Sequence, residues 1–536
     1  MSPKSDQLFR KGLTLLQAGQ LPEAAQAFRK ALRDDRTHIG ALNLLGIVLT
    51  QLNQFAEAET HLAAALRQNP NSDATLYNYG VVLQALKRPA EALQRFDAAL
   101  AINSSIADTW NNRGAALNQL ERYEDAVASF DKAIALQPTY AQAYANKARA
   151  LSELKRYDEA LKACEQALAY DPQLVEAWFG HGNVLLKFLR HEDALRSFER
   201  ANAIDPQFGA ARLERGTTLL ALGRFQEGWQ AYDWRTQVSD FVPGHPAIEA
   251  RIRTPKSRED FAGKTVAVIA EQGVGDEIMF GTMLPDLLRD AKAVTYQLDS
   301  RLIGIFSQSF PSVKFVAKTS HEDILAEPFD LTVRAGSLGL AYRPDLKSFP
   351  RTPYLKPQPE HVQRWRSALD IQDNLLQVGI SWRGGTKNTG NNDRSMTLEQ
   401  MKPLLARTDC RFVSLQYGNV AEEIESFNRA AGGKIRHFPK EQIDDFEDLG
   451  ALIEALDLVV SVQNTNVHLC GAIGKTCFAM LPRQAEWRYG ASGKEMAWYS
   501  SVELYRQATH GDWAGLLDAI NRRIDTDIGR WRARRG

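Results

Sequence analysis

A strict 34-residue register in the first half of the chain constrains the fold more than any other feature of the sequence. Small residues occupy this register at Gly12, Gly46, Gly80, Gly114, Ala148, Gly182 and Gly216. Six of them are followed twelve residues later by an alanine, and four residues after that by a larger residue, most often phenylalanine. Prolines close several units, where a helix must end because proline has no amide hydrogen to donate. A period of this length predicts stacked helical hairpins, each contacting only its neighbours.

The pattern resembles the tetratricopeptide repeat, in which small residues let the two helices of a hairpin approach closely. Seven units are predicted over residues 5–240. The last unit departs from the pattern, because Gly228 replaces the alanine and two tryptophans, Trp229 and Trp234, are added. We interpret it as a capping unit that packs against a following domain.

Asparagines occupy one slot of the first helix in three successive units, Asn78, Asn112 and Asn146. First helices line the concave surface of such an array, and an amide side chain both donates and accepts, so this ladder can bind an extended acceptor peptide. The repeats of eukaryotic O-GlcNAc transferase are similar at this slot. The alternative is that asparagine is only tolerated at a polar, exposed position. The flanking units carry Leu44, Gly180 and Glu214 there, so the ladder is short.

Composition limits the partners and the compartment. The 536 residues exceed what one core supports. Lys plus Arg and Asp plus Glu both number 65, so no bulk attraction to nucleic acid or to an anionic membrane is expected. No apolar run is long enough for a membrane span, and the first residues lack the apolar stretch of a secretory signal, so a cytoplasmic location is expected.

The four cysteines, Cys164, Cys410, Cys470 and Cys477, form no C-x-x-C pair. We interpret them as reduced packing residues. No His, Cys or Asp cluster has metal-ligand spacing, so no metal and no cofactor are expected.

The second half of the chain has a different texture. A proline-containing connector is predicted at 241–262, after which short β-branched runs alternate with helical stretches, as in a parallel sheet covered by helices. The predicted strands are Thr265–Ala270, Val294–Leu298, Val313–Val316, Leu331–Val333, Leu376–Trp382, Phe412–Gln416, Leu458–Val462 and Cys477–Leu481. They form two Rossmann-like blocks, 263–370 and 371–536. The predicted fold is an all-α tetratricopeptide solenoid followed by an α/β domain pair that resembles the GT-B arrangement of glycosyltransferases. On topology alone, two-domain binding proteins and dehydrogenases fit as well.

The segment after the first predicted strand carries the leading catalytic candidate. Gly273 and Gly275 permit a tight turn close to a ligand, and a helix is predicted to begin near Asp276. The spacing is not that of a dinucleotide-binding fingerprint. A carboxylate at the carboxyl end of a strand can take a proton from an acceptor hydroxyl. The alternative is that Asp276 only caps its helix.

Four motifs, in chain order, resemble those of heptosyltransferase-type enzymes. They are Gly-Asp at 275–276, VGISWRG at 378–384, SLQ at 414–416 and the segment 456–475. The resemblance covers about residues 263–520 and implies a metal-independent, inverting glycosyltransferase with Asp276 as the general base. One departure is Gln463, where the family usually has aspartate, which leaves the donor identity open.

A nucleotide-sugar site is predicted around these motifs. Free amides at the start of a helix bind phosphate, and a loop rich in glycine and cations can close over a diphosphate. The predicted donor-binding residues are Gly273, Gly275, Arg383, Lys387, Arg394, Gln416, Asn464, Thr465 and His468. The alternatives are helix capping by Asn464 or Thr465, a packed His468 and a solvated loop. Trp487 either stacks on a base or packs in a core.

The expected function is protein O-glycosylation, with the repeats holding a protein acceptor and the two blocks transferring a sugar to its Ser or Thr. Bacterial proteins that join these two parts resemble flagellin glycosyltransferases that use nonulosonic acids such as pseudaminic acid, which makes flagellin the first acceptor to consider. Two alternatives stay open. The acceptor is a lipopolysaccharide or capsule glycan, or the chain is a scaffold with a degenerate transferase domain.

Overall fold

The computed structural model describes residues 3–238, 244–370, 375–385, 391–432, 435–439, 443 and 445–533. Two compact units are present, Met1–Pro206 and Gln207–Gly536. The first unit is entirely helical. The second contains the seventh repeat together with both sheets.

Six helical hairpins build the first unit, as the 34-residue register predicts. Its helices are α1 (Pro3–Gln17), α2 (Leu21–Asp34), α3 (Ile39–Gln51), α4 (Phe55–Gln68), α5 (Asp73–Ala85), α6 (Pro89–Ile102), α7 (Ala107–Gln119), α8 (Tyr123–Leu136), α9 (Ala141–Glu153), α10 (Tyr157–Tyr170), α11 (Val175–Lys187) and α12 (His191–Ile204). The turn inside each hairpin contains one residue with positive φ at the same slot, which is Gly19 in the first hairpin and Asn53 in the second hairpin.

One small-to-large contact recurs through the array. A Cβ added to Gly12, Gly46, Gly80, Gly114 or Gly182 would lie 2.5 Å from the side chain sixteen residues further on, which is Leu62 for Gly46 and a phenylalanine for the other four. The helices of each hairpin are therefore as close as a missing side chain allows. In the fifth hairpin both partners differ, because Ala148 stands in the glycine slot and the small Cys164 replaces the aromatic residue.

The seventh repeat belongs to the second unit. It consists of α13 (Gly209–Ala221) and α14 (Phe225–Tyr232), followed by a 3-10 helix at Asp233–Gln237. The indole of Trp229 donates a hydrogen bond to the Arg343 carbonyl at 2.9 Å and lies in the same core as the first sheet. This repeat therefore packs on the α/β region, as a capping unit does.

Two parallel sheets follow. The first contains β1 (Thr265–Ile269), β2 (Ala293–Leu298), β3 (Lys314–Ala317) and β4 (Leu331–Arg334) in the order β3-β2-β1-β4. The second contains β5 (Leu376–Ser381), β6 (Cys410–Ser414), β7 (Ile435–Arg436), β8 (Leu458–Val462), β9 (Cys477–Leu481) and β10 (Val502–Arg506) in the order β10-β9-β8-β5-β6-β7. All eight predicted strands overlap an observed one. The sequence analysis missed β7 and β10, which form the two edges of the second sheet.

Helices connect and cover these strands. They are α15 (Pro246–Glu249), α16 (Val274–Gly281), α17 (Leu284–Asp290), α18 (Ile303–Ser309), α19 (His321–Leu325), α20 (Leu338–Tyr342), α21 (Pro359–Leu369), α22 (Asn391–Arg394), α23 (Lys402–Leu405), α24 (Ala421–Ala431), α25 (Phe446–Ala455), α26 (Thr465–Ile473) and α27 (Ala514–Ala533). Among the described residues, none of the helices is both long and apolar enough to cross a bilayer. The four cysteines are buried free thiols.

Candidate functional site

The two sheets approach each other where α16 and α26 begin. The chain leaves β1 and enters α16 through Gly273, and it leaves β8 and enters α26 through Asn464. A Cβ on Gly275 would lie 3.3 Å from the His468 ring and 3.5 Å from the Thr465 hydroxyl. Gly275 therefore allows the start of α16 to lie directly against the start of α26, and this is where the candidate site forms.

Asp276 makes contacts on both sides of this approach. Its carboxylate accepts a hydrogen bond from the Gly273 amide at 3.3 Å, which caps α16, and another from Arg488 Nε at 2.6 Å. Both side chains are mostly buried, at 13% and 14% exposure. Burial opposes the charge of Arg488, but Asp276, Tyr232 and Tyr489 together outweigh burial and raise the pKa of the guanidinium. Asp276 is thus a helix cap that also pairs with a cation from the second sheet's segment.

The ion pair continues into a chain of alternating charges. Arg488 also pairs with Glu486, and Glu486 in turn pairs with Arg394. We call the four residues Asp276, Arg488, Glu486 and Arg394 the ion chain. They come from α16, from the segment after β9 and from α22, which are far apart in sequence. The fold therefore gathers anionic and cationic groups at the point where the sheets approach.

His468 lies beneath this ion chain. Its ring is buried, with Nε2 3.4 Å from the Tyr489 hydroxyl and Nδ1 3.5 Å from the Tyr499 hydroxyl. Burial, followed by the nearby charge of Arg488, lowers the pKa of His468 to about 3. The ring is consequently neutral and packed between tyrosines, so the packing interpretation describes its geometry better than direct donor contact does.

The neighbouring polar residues hold the backbone of the site in place. The side-chain Oδ1 of Asn464 accepts from the Asn466 backbone amide at 3.0 Å and so caps α26, while its Nδ2 donates to the Ser381 hydroxyl at 2.7 Å. Gln416 is buried and accepts from the amide of Arg383 at 2.7 Å. Asn464 and Gln416 therefore fix the segment that leaves β5. Thr465 stays partly exposed on the first turn of α26.

The structure separates the three predicted loop cations. Arg383 forms an ion pair with Glu423 on α24, and its Cζ lies 5.8 Å from the centroid of the Trp382 ring. Arg394 joins the ion chain, whereas Lys387 lies outside the described residues.

Two further predicted positions lie in cores. Trp487 packs edge-on against Trp229, with ring centroids 5.6 Å apart, which corresponds to the packing alternative. Gln463 is 2% exposed, and its side-chain oxygen has no hydrogen-bond partner among the described residues.

The asparagines of the repeat array bond to neighbouring residues. Asn112 donates to the Tyr77 hydroxyl at 3.0 Å, and Asn146 donates to the Asn111 side chain at 3.0 Å. Asn78 bonds to a carbonyl of its own helix. Each side-chain amide nitrogen therefore already donates one bond, so a bound peptide would use the second N–H or replace the bond that is present.

Sequence reasoning missed Arg488 and Glu486, although both lie in a polar stretch directly after a predicted strand. It also missed a buried pair in which Glu271 accepts from Arg235 at 2.7 and 3.0 Å. Glu271 lies two residues after the end of β1, in the same connection between β1 and α16 as Gly273. Within the described part of the chain, no group of three or more His, Cys, Asp or Glu side chains could hold a metal ion.

Comparisons with known proteins agree on the repeats. Tetratricopeptide repeat families match residues 15–74, 107–140, 141–174 and 179–233. Protein FlbA of Caulobacter vibrioides is 30% identical over 319 residues, a match that covers 55% of this chain and 51% of that protein. The chain thus spans about half the length of this curated relative.

Solved structures of tetratricopeptide repeat proteins are also similar to part of this chain. A tetratricopeptide repeat protein from Parabacteroides merdae matches 44% of this chain at 18% identity, with 94% of its own length covered and a TM-score of 0.40. The protein TTC0263 from Thermus thermophilus matches 34% of this chain at 22% identity, with 99% of its own length covered and a TM-score of 0.31. On the family matches and the helical hairpins together, the first part of the chain is an array of tetratricopeptide repeats.

Proposed function

We propose that the protein is a glycosyltransferase that moves a sugar from a nucleotide-sugar to a Ser or Thr of a protein held by the repeats. The observation that carries the proposal is the position of Asp276. Its carboxylate lies at the carboxyl edge of the first sheet, directly opposite the start of α26 and the cations of the second sheet. Ligands of open α/β sheets bind at the carboxyl ends of the strands. A carboxylate at this edge can therefore lie next to the acceptor hydroxyl and act as its general base.

The reaction is a single displacement. The acceptor hydroxyl loses its proton to Asp276 while its oxygen bonds to the anomeric carbon of the sugar. The bond from that carbon to the nucleotide phosphate breaks, and the electron pair leaves with the phosphate. The cations of the ion chain stabilise this negative charge as it develops. The configuration at the anomeric carbon inverts.

The motifs that resemble heptosyltransferase-type enzymes support the sugar chemistry, and the repeats support a protein acceptor. The match to FlbA covers 55% of the chain, which is more than the repeats occupy, so the likeness extends into the α/β region. Flagellin is the first acceptor to test because proteins that join these two parts resemble flagellin glycosyltransferases.

The test is a transfer assay with the full chain, flagellin and CMP-, UDP- and ADP-sugars, read by the intact mass of flagellin. A mass increase equal to one or more sugars supports the proposal. No increase with any donor, together with no nucleotide-sugar binding by calorimetry, would show that the chain is not a transferase.

Two variants separate the roles of the two parts. Asp276→Asn should lower the transfer rate by about 100-fold or more while nucleotide binding persists. Asn112→Ala combined with Asn146→Ala should raise KM for the protein acceptor without changing hydrolysis of the donor. Normal transfer by the first variant would overturn the assignment of Asp276 as the base.

A further inference from the structure

Two guanidinium groups in the ion chain share a single carboxylate. Glu486 pairs through one oxygen with Arg394 and through the other with Arg488. Both arginines are mostly buried, at 16% and 14% exposure. Burial, followed by the like charge of Arg488, lowers the pKa of Arg394. The two cations therefore lie close together in a place where they repel each other unless an anion lies between them.

The two carboxylates of the ion chain are held differently. Asp276 is fixed at the start of α16, where it also accepts from the Gly273 amide. Glu486 directly precedes the short 3-10 helix Trp487–Tyr489 and is the most exposed of the four side chains, at 30%. A rotation of its side chain would carry it towards water, whereas the same rotation of Asp276 would uncap a helix.

We propose that a phosphate group of the donor binds between Arg394 and Arg488 in place of the Glu486 carboxylate. The inference rests on the proposed function, because it names the group of the donor that this part of the site binds. A guanidinium binds a carboxylate and a phosphate in the same forked geometry, and a phosphate brings more charge to the two cations. Glu486 then acts as a competing internal anion, and it weakens the binding of the phosphate.

The same arrangement couples donor binding to the base. Arg488 bonds to Asp276 through Nε at 2.6 Å and to Glu486 through its Nη1 group. A phosphate that replaces Glu486 leaves the bond to Asp276 in place. Arg488 therefore contacts both the leaving phosphate and the base and holds them at a fixed separation.

Calorimetry with inorganic pyrophosphate and the full chain tests the proposal without any need for sugar transfer. Glu486→Gln should tighten pyrophosphate binding by about tenfold, because the competing charge is removed while the shape is kept. Arg394→Gln should weaken it by about tenfold or more. Glu503→Gln is the matched control, since Glu503 also pairs with an arginine at similar exposure, 27%, but on β10. It should change the affinity by less than about twofold.

Equal or weaker pyrophosphate binding by a folded Glu486→Gln variant would overturn the proposal, as would unchanged binding by Arg394→Gln. Should Glu486→Gln fail to fold, Glu486→Asp, which shortens the side chain by one methylene, should still tighten binding, and unchanged or weaker binding would overturn the proposal. Tightened pyrophosphate binding without sugar transfer would keep this inference and remove the proposed function. Sugar transfer with no effect of Glu486 would do the opposite.

Discussion

The repeat array and the α/β unit are stabilised by contacts of opposite kinds. In the array, five of the six hairpins of the first unit repeat one contact, in which a glycine lies against a large side chain sixteen residues further on, as Gly114 does against Phe130. In the α/β unit, the polar contacts that join elements occur once each and link distant residues, 36 apart for Arg235 and Glu271 and 212 apart for Asp276 and Arg488. A repeated local contact is visible as a period in the sequence, whereas a single long-range contact is not. Loss of one contact in the array therefore weakens only one hairpin and its neighbours, whereas a lost contact in the α/β unit is not repeated elsewhere in that unit.

The largest expected effect comes from the buried pair of Arg235 and Glu271. Both side chains are 2% exposed, and Glu271 also accepts from the Gly336 amide at 2.5 Å. Glu271→Gln leaves a buried guanidinium with Asp233 as its remaining carboxylate partner. We expect a loss of about 3 kcal/mol in the free energy of unfolding of the second unit, measured by denaturant titration.

A surface pair in the same unit serves as the control. Glu327 pairs with Lys314, and both side chains are nearly half exposed. Glu327→Gln should change the free energy of unfolding by less than about 1 kcal/mol. Equal effects of the two variants would mean that burial does not set the strength of these ion pairs. The single buried contacts of the second unit would then contribute no more to its stability than surface pairs do.

The second expected effect is a dependence of stability on pH that His468 confers on the α/β unit. Its folded-state pKa of about 3 lies below the ordinary value of 6.5, so only the unfolded chain binds the proton between these two values. Stability contributed by the neutral ring is therefore complete above pH 6.5 and falls as the pH is lowered towards 3, by at most about 1.4 kcal/mol per pH unit. His468→Gln should flatten this acid limb, measured as Tm against pH.

His510 provides the comparison for that measurement because its side chain is half exposed. His510→Gln should leave the acid limb unchanged. An unaltered acid limb in His468→Gln would show that the buried ring is not responsible for the loss of stability in acid.

The third expected effect tests whether the repeated contact is interchangeable. A Cβ at Gly114 would lie 2.5 Å from Phe130, so Gly114→Ala should destabilise the first unit by about 1–3 kcal/mol through overpacking. The fifth hairpin accommodates a Cβ at Ala148 where its partner is Cys164, and both are buried. In a Phe130→Cys background, Gly114→Ala should therefore cost less than about 0.5 kcal/mol.

The measurement is a double-mutant cycle on the thermal unfolding of the array. A coupling free energy near zero between Gly114→Ala and Phe130→Cys would mean that the cost of a Cβ at position 114 does not depend on the size of its partner. The repeated contact would then not explain why glycine occupies this slot.

The same contrast explains how much was predictable from the sequence. The helices of the array follow from the register alone, and the central strands follow from short apolar runs bounded by turns. The edges β7 and β10 were missed because β7 has two residues and β10 is interrupted by the polar side chain of Glu503, so neither gives a continuous apolar run.

The site was predictable only in part. Asp276 and Arg394 were identified because each follows a glycine-containing stretch of sequence after a predicted strand. Their partners Arg488 and Glu486 lie in a third segment of the chain. Periodicity in the sequence does not show which of these distant segments come into contact once both sheets have folded. Asn464 and Gln416 were identified by motif, but their side-chain amides bond to the backbone of neighbouring segments, a role that a motif does not distinguish from ligand contact.

The smallest expected effect concerns the turn inside each hairpin of the array. The sixth hairpin places Leu189 in the left-handed region at φ 60°, where the first and second hairpins have Gly19 and Asn53. A leucine in this region costs roughly 1 kcal/mol or more, whereas asparagine costs less because its short polar side chain can hydrogen-bond to the nearby backbone. Leu189→Asn should thus stabilise the first unit by about 0.5 kcal/mol, measured by thermal unfolding. Leu189→Ala removes the same exposed side chain but keeps the backbone cost, so it should give no gain. An equal gain from both variants would trace the effect to the lost leucine and not to the turn that every hairpin repeats.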